Sequence, residues 1–270
     1  MEIFDTHFHY YGESSPLEFY RSVTAEAAVP PQSDILVPDV IRLMAVGGDF
    51  LESRRAAEFA RVIDSANFAV GVHPHQAAAY LEEKNDFGEF RGMPKLAAIG
   101  ELGLDYYYEL SDREAQKKVF RQFLELGLEW DLPAIVHIRD REGCDDAYRD
   151  ACELLDPFAG AGGRFVVHCF AGTPQWAERF LALGGYCGVT GMVTFGRAGN
   201  IRETLRVIPD ERLLIETDSP YLAPVPHRGR ENHPGYLVLI ADRVAQERGR
   251  PVREIVELTE GNHPPKIEKV

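Results

Sequence analysis

Eight short apolar runs recur along the chain, and helical patterns separate them. The runs are almost continuously apolar, as in LAAIG at 96–100 and FVVH at 165–168. Such runs are typical of strands buried on both faces of a parallel sheet, because half-exposed antiparallel strands alternate apolar with polar residues. We therefore predict eight parallel strands, at residues 2–5, 41–46, 68–72, 95–100, 134–138, 164–169, 186–190 and 212–217.

Helix signals lie between these strands. Apolar-periodic runs cover 53–65 and 112–131, with Ser53 and Asp112 as their first residues, and Thr173-Pro174 is typical of an N-cap followed by the first helical residue. Eight strands that alternate with helices predict an α/β fold of the TIM (β/α)8 barrel type. An open doubly wound sheet also alternates, but it usually carries a Gly-rich first turn, whereas His-Phe-His follows the first strand here.

The chain has 270 residues, a length at which one barrel is a common solution. It shows no internal repeat and no Gly/Ser-rich linker, so we expect a single domain over residues 1–270. Residues 12–38 are the least regular stretch and are interpreted as an elaborated first connection between strand and helix.

Charge and cysteine content restrict the function. With 29 Lys and Arg against 43 Asp and Glu, the net charge is −14, so a polyanion could be captured only at a local cationic site such as bound metal ions. The four cysteines form no CxxC pair, and the sequence has no signal-peptide pattern and no run of 18 apolar residues. We therefore expect a cytoplasmic protein that does not enter a membrane.

Histidines and acidic residues fall at the carboxyl-terminal ends of the predicted strands. In an extended His-x-His segment both imidazoles point to the same side, because side chains alternate with period two. The carboxyl-terminal strand ends of a barrel ring one mouth, where active sites are built. The candidates expected to meet there are His7, His9, Glu101, His137, His168 and Asp218.

Neutral imidazoles and carboxylates are ligands that Zn²⁺, Mn²⁺ and, for oxygen, Mg²⁺ accept. Six ligands exceed the needs of one tetrahedral ion, whereas two ions about 3.5–4 Å apart that share a carboxylate would use them all. A lone histidine of this kind is more often an ordinary core residue, so the prediction of two divalent ions depends on all six residues together.

Other residues carry weaker signals. His73, in GVHPH, could contact substrate or simply be a loop residue made rigid by the next proline, and the basic run 227–230, which contains Arg228, could hold phosphate or be a solvated surface. Glu216 is expected to orient a ligand imidazole. Tyr106–Tyr108 could stack on a base, although packing within the loop is favoured. Arg139, like the basic run, could hold phosphate or be a solvated surface residue, or it could instead pair with an acid near the rim.

Several sequence motifs of the chain, taken together, resemble those of one known family. The motifs resemble those of TatD-type metal-dependent deoxyribonucleases of the amidohydrolase superfamily, and the resemblance is strong over residues 68–237. The segments that carry it are DTHFH, GVHPH, AIGELGLDYYY, IVHIRD, VVHCFAG, GGYCGVTGMVTF and LLIETDSPYLAPVPHRGRENHPGYL. The sequence departs from the family pattern at residues 12–38 and in the tail 262–267.

The resemblance implies a TIM barrel with two divalent ions (Mg²⁺, Mn²⁺ or Zn²⁺) that hydrolyses phosphodiester bonds of DNA, often as a 3′–5′ exonuclease. It implies one ion held by His7, His9, Glu101 and Asp218, and another held by Glu101, His137 and His168, with Glu101 as the bridge. By the same resemblance, His73 and Arg228 approach the substrate phosphate. Our mechanistic hypothesis is that Asp218 orients the attacking water and accepts its proton.

Two rival functions stay open at this point. A site that activates water could equally hydrolyse a carboxylic ester, an amide or a small phosphoester. Outside enzymes, the same barrel could bind metal without turnover. We expect DNA or another phosphoester as the partner, with no obligate protein partner and a monomeric state.

Overall fold

In the computed structural model, residues 1–27, 37–83 and 85–262 are described, and their eight strands form one parallel sheet in the order β1 to β8. The strands are β1 (Glu2–Phe8), β2 (Val40–Val46), β3 (Ala66–Val70), β4 (Leu96–Asp105), β5 (Ala134–Arg139), β6 (Phe165–Val167), β7 (Tyr186–Val189) and β8 (Leu213–Ile215). The helices are α1 (Pro16–Ala27), α2 (Phe50–Val62), α3 (Ala77–Glu83), α4 (Arg113–Trp130), α5 (Asp146–Gly160), α6 (Pro174–Ala182), α7 (Gly199–Leu205), α8 (Leu237–Arg248) and α9 (Val252–Gly261).

The sheet closes through the segment that follows β8. Phe8 forms a parallel bridge with Ser219, the His9 N–H donates to the Ser219 carbonyl at 2.8 Å, and the Asp218 N–H donates to the His7 carbonyl at 2.9 Å. The predicted TIM barrel is thereby confirmed. Its seam, the contact between β1 and residues 217–219, lies at the carboxyl-terminal end of both strands.

Two layers of apolar side chains hold the barrel together. A small cluster that includes Phe4, Met44 and Leu214 forms one layer, and a larger cluster packs strands against helices α1 to α9. Alternate residues of a strand belong to different clusters, as Ile3 and Phe4 do, so strands of this barrel are apolar on both faces. Within the described ranges, no helix is both long and apolar enough to cross a bilayer.

The predicted strands all overlap the observed ones, but β4 was predicted to end too early. It continues five residues beyond the predicted end at residue 100, so Glu101 lies inside the strand and not at its end. The strand continues because its glycines accommodate irregular backbone instead of ending it. The pairing register shifts between Ile99 and Leu102, and φ is positive at Gly100 and Gly103. Strand β8, in contrast, is shorter than predicted, and Asp218 follows it by three residues.

The predicted helices are present, and one of them begins earlier than predicted. Asp112 caps α4, its side chain accepting the Ala115 N–H at 2.9 Å, and Thr173-Pro174 begins α6. Helix α2 begins earlier than Ser53, because Asp49 caps it by accepting the Glu52 N–H at 2.7 Å.

The irregular segment at residues 12–38 contains a helix in its described part, since α1 runs over Pro16–Ala27. Residues 28–36 and the tail from 263 lie outside the described residues.

A substitution at Gly103 tests how closely β4 and β5 approach each other. A Cβ atom there would lie 2.0 Å from the His137 carbonyl oxygen, and φ is +141°. We expect Gly103→Ala to lower the free energy of unfolding by at least about 2 kcal/mol in urea titrations. Gly143→Ala is the control, because its φ is also positive, at +79°, but a Cβ would have nothing within 4 Å. Equal losses in both variants would show that the close approach is unimportant.

Candidate metal centre

The six residues predicted to bind metal lie together at the carboxyl-terminal mouth of the barrel. They come from or just after five different strands: His7 and His9 from β1, Glu101 from β4, His137 from β5, His168 next to β6, and Asp218 beyond β8. Their side chains are buried or partly buried. Residues up to 211 positions apart in sequence are thus neighbours in the fold (218 − 7).

Glu101 is at the centre of this cluster. Its Oε2 atom lies 3.5 Å from His7 Nε2 and 3.6 Å from His9 Nε2, whereas its Oε1 atom lies 3.0 Å from His137 Nδ1 and 3.1 Å from His168 Nε2. Each oxygen of one carboxylate therefore faces a separate pair of imidazoles. Asp218 joins the first pair, with Oδ1 3.8 Å from His7 Nε2 and 3.6 Å from His9 Nε2.

Hydrogen bonds fix which ring nitrogens face the cluster. The His9 Nδ1–H donates to the Val46 carbonyl at 3.1 Å, since a carbonyl can only accept, and this leaves the Nε2 lone pair of the neutral ring facing Glu101. His7 Nε2 and His9 Nε2 are 3.3 Å apart, and both face the same carboxylate oxygens. Two nitrogens and several oxygens that converge in this way suit a divalent cation.

The electrostatics also favour positive charge. Burial alone would raise the pKa of Glu101, but its neighbouring imidazoles, His168 and His137 among them, hold that pKa well below its usual value. Burial opposes charge on His168, yet Glu101 and Glu216 raise its pKa well above the ordinary value. The carboxylates thus stabilise a cation in the cluster, whether a proton or a metal ion, and metal binding would displace such protons.

Glu216 lies where an orienting residue is expected. Its Oε1 accepts from His168 Nδ1 at 3.1 Å and from the Cys169 N–H at 2.5 Å, so the Nε2 of His168 is left to face Glu101. Gly188 leaves room for this carboxylate, because a Cβ there would lie 2.5 Å from it.

His73, predicted to approach the substrate phosphate, lies next to the cluster. Its Nε2 lies 3.7 Å from Glu101 Oε1, and it forms a possible metal-binding group with Glu101 and His137. Burial lowers its pKa to about 3, so the ring is neutral at neutral pH.

Arg228, in contrast, lies on an exposed loop with its guanidinium 4.3 Å from the centre of the Phe195 ring. The nearby Asn232 is buried and donates to the Thr217 carbonyl at 2.8 Å, so it holds the loop after β8 in place.

Asp105 is a further residue of this mouth that the sequence patterns did not predict. This buried carboxylate lies at the end of β4, with Oδ2 3.3 Å from His137 Nε2 and 2.9 Å from His75 Nε2. Burial would raise its pKa, but these two imidazoles hold it far below the usual value. Asp105 orients His137 in the same way that Glu216 orients His168. Side chains alternate along a strand, so residues 101, 103 and 105 lie on the same face. A predicted strand that continued past residue 100 would therefore have placed Asp105 on the same side as Glu101.

Asp5 was also missed, although it opens the DTHFH motif. It accepts the Thr217 N–H at 2.9 Å and contacts the Thr217 hydroxyl at 2.5 Å, and so joins β1 to the segment after β8. Burial raises the pKa of Asp5 to about 8.

Together, a TIM barrel and a cluster of imidazoles and carboxylates at its mouth define the class of metal-dependent hydrolases built on this fold. Comparison with known proteins specifies the family. The chain belongs to the TatD related DNase family, which matches residues 4–264, as the sequence motifs predicted.

Individual relatives extend this result over nearly the full length. The uncharacterized metal-dependent hydrolase YabD of Bacillus subtilis is 33% identical over 261 residues, 96% of each chain. The 3′–5′ ssDNA/RNA exonuclease TatD of Citrobacter rodentium is 36% identical over 229 residues, covering 82% of this chain and 84% of the relative. Among solved structures, the TatD homologue YJJV of Escherichia coli superposes with a TM-score of 0.78 at 26% identity, covering 96% of this chain and 95% of that one.

The raised pKa of Asp5 predicts a pH-dependent stability. Because the folded protein keeps this proton up to about pH 8 and the unfolded chain loses it near pH 4, stability falls as pH rises across that window. Asp5→Asn mimics the protonated acid, so its unfolding free energy should fall less than that of the wild type between pH 5 and pH 8 in EDTA. Parallel pH profiles for the two proteins would contradict this assignment.

The contact between Glu216 and His168 predicts an effect on metal affinity. Glu216→Gln keeps the size and one acceptor oxygen but removes the charge that makes the ring a better ligand, so we expect Mn²⁺ affinity to fall about 10-fold. Isothermal titration calorimetry measures this, and Glu178→Gln on an exposed face of α6 is the control. Unchanged affinity, with unchanged thermal stability, would exclude an orienting role for Glu216.

Proposed function

We propose that this protein is a metal-dependent nuclease that hydrolyses phosphodiester bonds of DNA, in the 3′–5′ exonuclease mode. The observation that carries the proposal is the Glu101 carboxylate, whose two oxygens face separate pairs of imidazoles. Membership of the TatD related DNase family and relatives named as 3′–5′ ssDNA/RNA exonucleases support it.

We further propose that two divalent ions, Mg²⁺, Mn²⁺ or Zn²⁺, bind at this mouth. One would be held by His7, His9, Glu101 and Asp218, and the other by Glu101, His137 and His168, so that Glu101 is shared. Such ions act as Lewis acids that activate water near neutral pH and neutralise the charge that develops on phosphate oxygens.

Asp218 is the proposed proton acceptor. Burial would raise its pKa, but contact with His9 and the neighbouring His168 lower it, so the carboxylate is ionised at neutral pH. Its backbone is held at both ends, because its N–H donates to the His7 carbonyl and its carbonyl accepts the Tyr221 N–H at 2.9 Å. A carboxylate held in this way can orient a water molecule and accept its proton without first moving into place.

Substrate capture has to overcome the net charge of −14. In our proposal, the two ions and Arg228 on the exposed loop supply local positive charge at the mouth. This local charge attracts the anionic substrate in spite of the net negative charge. His73, close to Glu101, is proposed to contact the phosphate or to complete the ligand set. All four cysteines are free, which is consistent with the reducing cytoplasm as the proposed compartment.

The rival functions are separated by a substrate panel. A 3′-labelled single-stranded oligonucleotide should be hydrolysed in the presence of Mn²⁺ or Mg²⁺, should be stable in EDTA, and should be cleaved again when the metal is restored. Hydrolysis of aryl carboxylic esters in preference to the oligonucleotide would favour the ester hydrolase. Stoichiometric metal binding without turnover of any substrate would favour a binding protein.

The role of Asp218 is tested by Asp218→Asn. We expect a protein with wild-type circular dichroism whose rate of oligonucleotide hydrolysis is lower by about 10²- to 10⁴-fold, because the amide cannot accept a proton. The matched control is Asp140→Asn, in the loop after β5. Wild-type turnover by the Asp218 variant would remove this residue from the mechanism.

A further inference from the structure

Exposed aromatic side chains are concentrated at one end of the barrel. The chain has 15 Phe, 11 Tyr and 2 Trp, and all of them fall within the described ranges. Three are exposed: Tyr107, Tyr108 and Tyr221, at 46%, 52% and 53%. The first two follow β4 and the third follows β8, so all three lie at the mouth that holds the metal centre. Exposed aromatic side chains beside a candidate site are available for contact with a ligand.

Tyr107 and Tyr108 are held in a defined arrangement. Their backbone N–H groups both donate to Asp105 Oδ1, at 3.0 and 2.9 Å. The two rings meet edge to face, with centroids 4.8 Å apart, and the Arg139 guanidinium lies 4.4 and 4.8 Å from their centres. Each ring keeps about half of its surface exposed in spite of these contacts. The pair is therefore preorganised and still available to a ligand.

The same aspartate connects this pair to the metal centre. Asp105 Oδ2 contacts both His137 and His75 through their Nε2 atoms. The His75 ring lies 5.6 Å from the Tyr108 ring and 4.3 Å from the His73 ring, which itself is adjacent to Glu101. A continuous series of rings thus leads from the cluster to the surface.

Arg139 adds a positive charge to this surface. The sequence left open whether it pairs with an acid, but it forms a salt bridge with none of the carboxylates that the structure describes, and it packs on the two tyrosines instead. In a chain of net charge −14, an arginine without an acidic partner is a local attraction for phosphate.

We propose that Tyr107, Tyr108 and Arg139 form a stacking platform for one unpaired base of a single-stranded nucleic acid whose phosphate lies at the metal centre. This inference rests on the proposed nuclease function. Every base presents a π face, so the platform tolerates different sequences, whereas duplex DNA hides those faces within its own stack. The platform therefore selects single strands and determines which nucleotide lies next to the scissile bond.

The test combines protein and substrate changes. Tyr108→Ala and Tyr107→Ala are assayed on a single-stranded oligonucleotide and on three versions that each lack one base among the last three 3′ positions. We expect each variant to lower kcat/KM about tenfold on the intact strand. For the wild type, kcat/KM should also fall about tenfold on the abasic strand whose missing base would occupy the platform. For each alanine variant, kcat/KM should be the same on that abasic strand as on the intact strand.

Binding without turnover gives a second measurement. Oligonucleotides with hydrolysis-resistant 3′ phosphorothioate linkages and 2-aminopurine at the same position should show quenched fluorescence with the wild type and with Tyr108→Phe, which keeps the ring. Quenching should be lost with Tyr108→Ala. Leu110→Ala is the control, because Leu110 is 67% exposed in the same loop but is not aromatic.

The outcomes separate this inference from the nuclease function. Suppose that the wild type cleaves the intact strand, that the alanine variants are as active as the wild type, and that the abasic strands are cleaved as fast as the intact strand. The proposed platform is then wrong, and the nuclease function stands. If the wild type neither binds nor cleaves any oligonucleotide, the proposed function fails and the platform fails with it.

Discussion

The seam between β1 and the segment after β8 is the contact on which the site depends. A parallel barrel closes only if its first and last strands meet, and here the meeting point is residues 217–219. The backbone hydrogen bonds of His7 and Asp218 and the side-chain contacts of Asp5 with Thr217 hold it. The same few residues bring two parts of the candidate metal centre, the imidazoles of His7 and His9 and the carboxylate of Asp218, to one place.

Around this seam, the buried carboxylates are stabilised by hydrogen-bond partners. An isolated carboxylate inside a protein is costly, and each buried acid of the mouth has an imidazole, an amide or a hydroxyl as its partner. Glu216 orients His168 and Asp105 orients His137, so two rings that face Glu101 are each fixed from behind by a second acid. Gly188 and Gly103 provide the space, because a side chain at either would collide with Glu216 or with the β5 backbone. Close packing and site chemistry are thus inseparable at this end of the barrel.

The sequence was sufficient for the barrel and for the placing of the six residues near one mouth. Continuous apolarity identified the strands, and period-two spacing identified His7 and His9 as a pair on one side. What could not be predicted was set by tertiary context. Gly100 looked like the end of a strand, although it serves an irregular stretch inside β4, and so Asp105 was missed.

The tyrosines after β4 show the same limit of local reasoning. Packing in the loop was favoured for all three, and this is right for Tyr106, which is fully buried. Its two neighbours are exposed, because their backbone N–H groups are bound to Asp105 and their rings are directed away from the core. Burial of three consecutive aromatic residues depends on the turn that follows the strand, and composition does not encode that turn.

The seam has a thermodynamic consequence for how the protein acquires its cofactor. A cation bound by both His9 and Asp218 would cross-link the two ends of the sheet, and a ligand that binds only the closed form stabilises it by mass action. Binding of such a cation would therefore favour the closed barrel over any form in which β1 and residues 217–219 have separated. Amide hydrogen exchange at His9 and Asp218 would slow on loading, while the strands on the far side of the barrel would exchange as before.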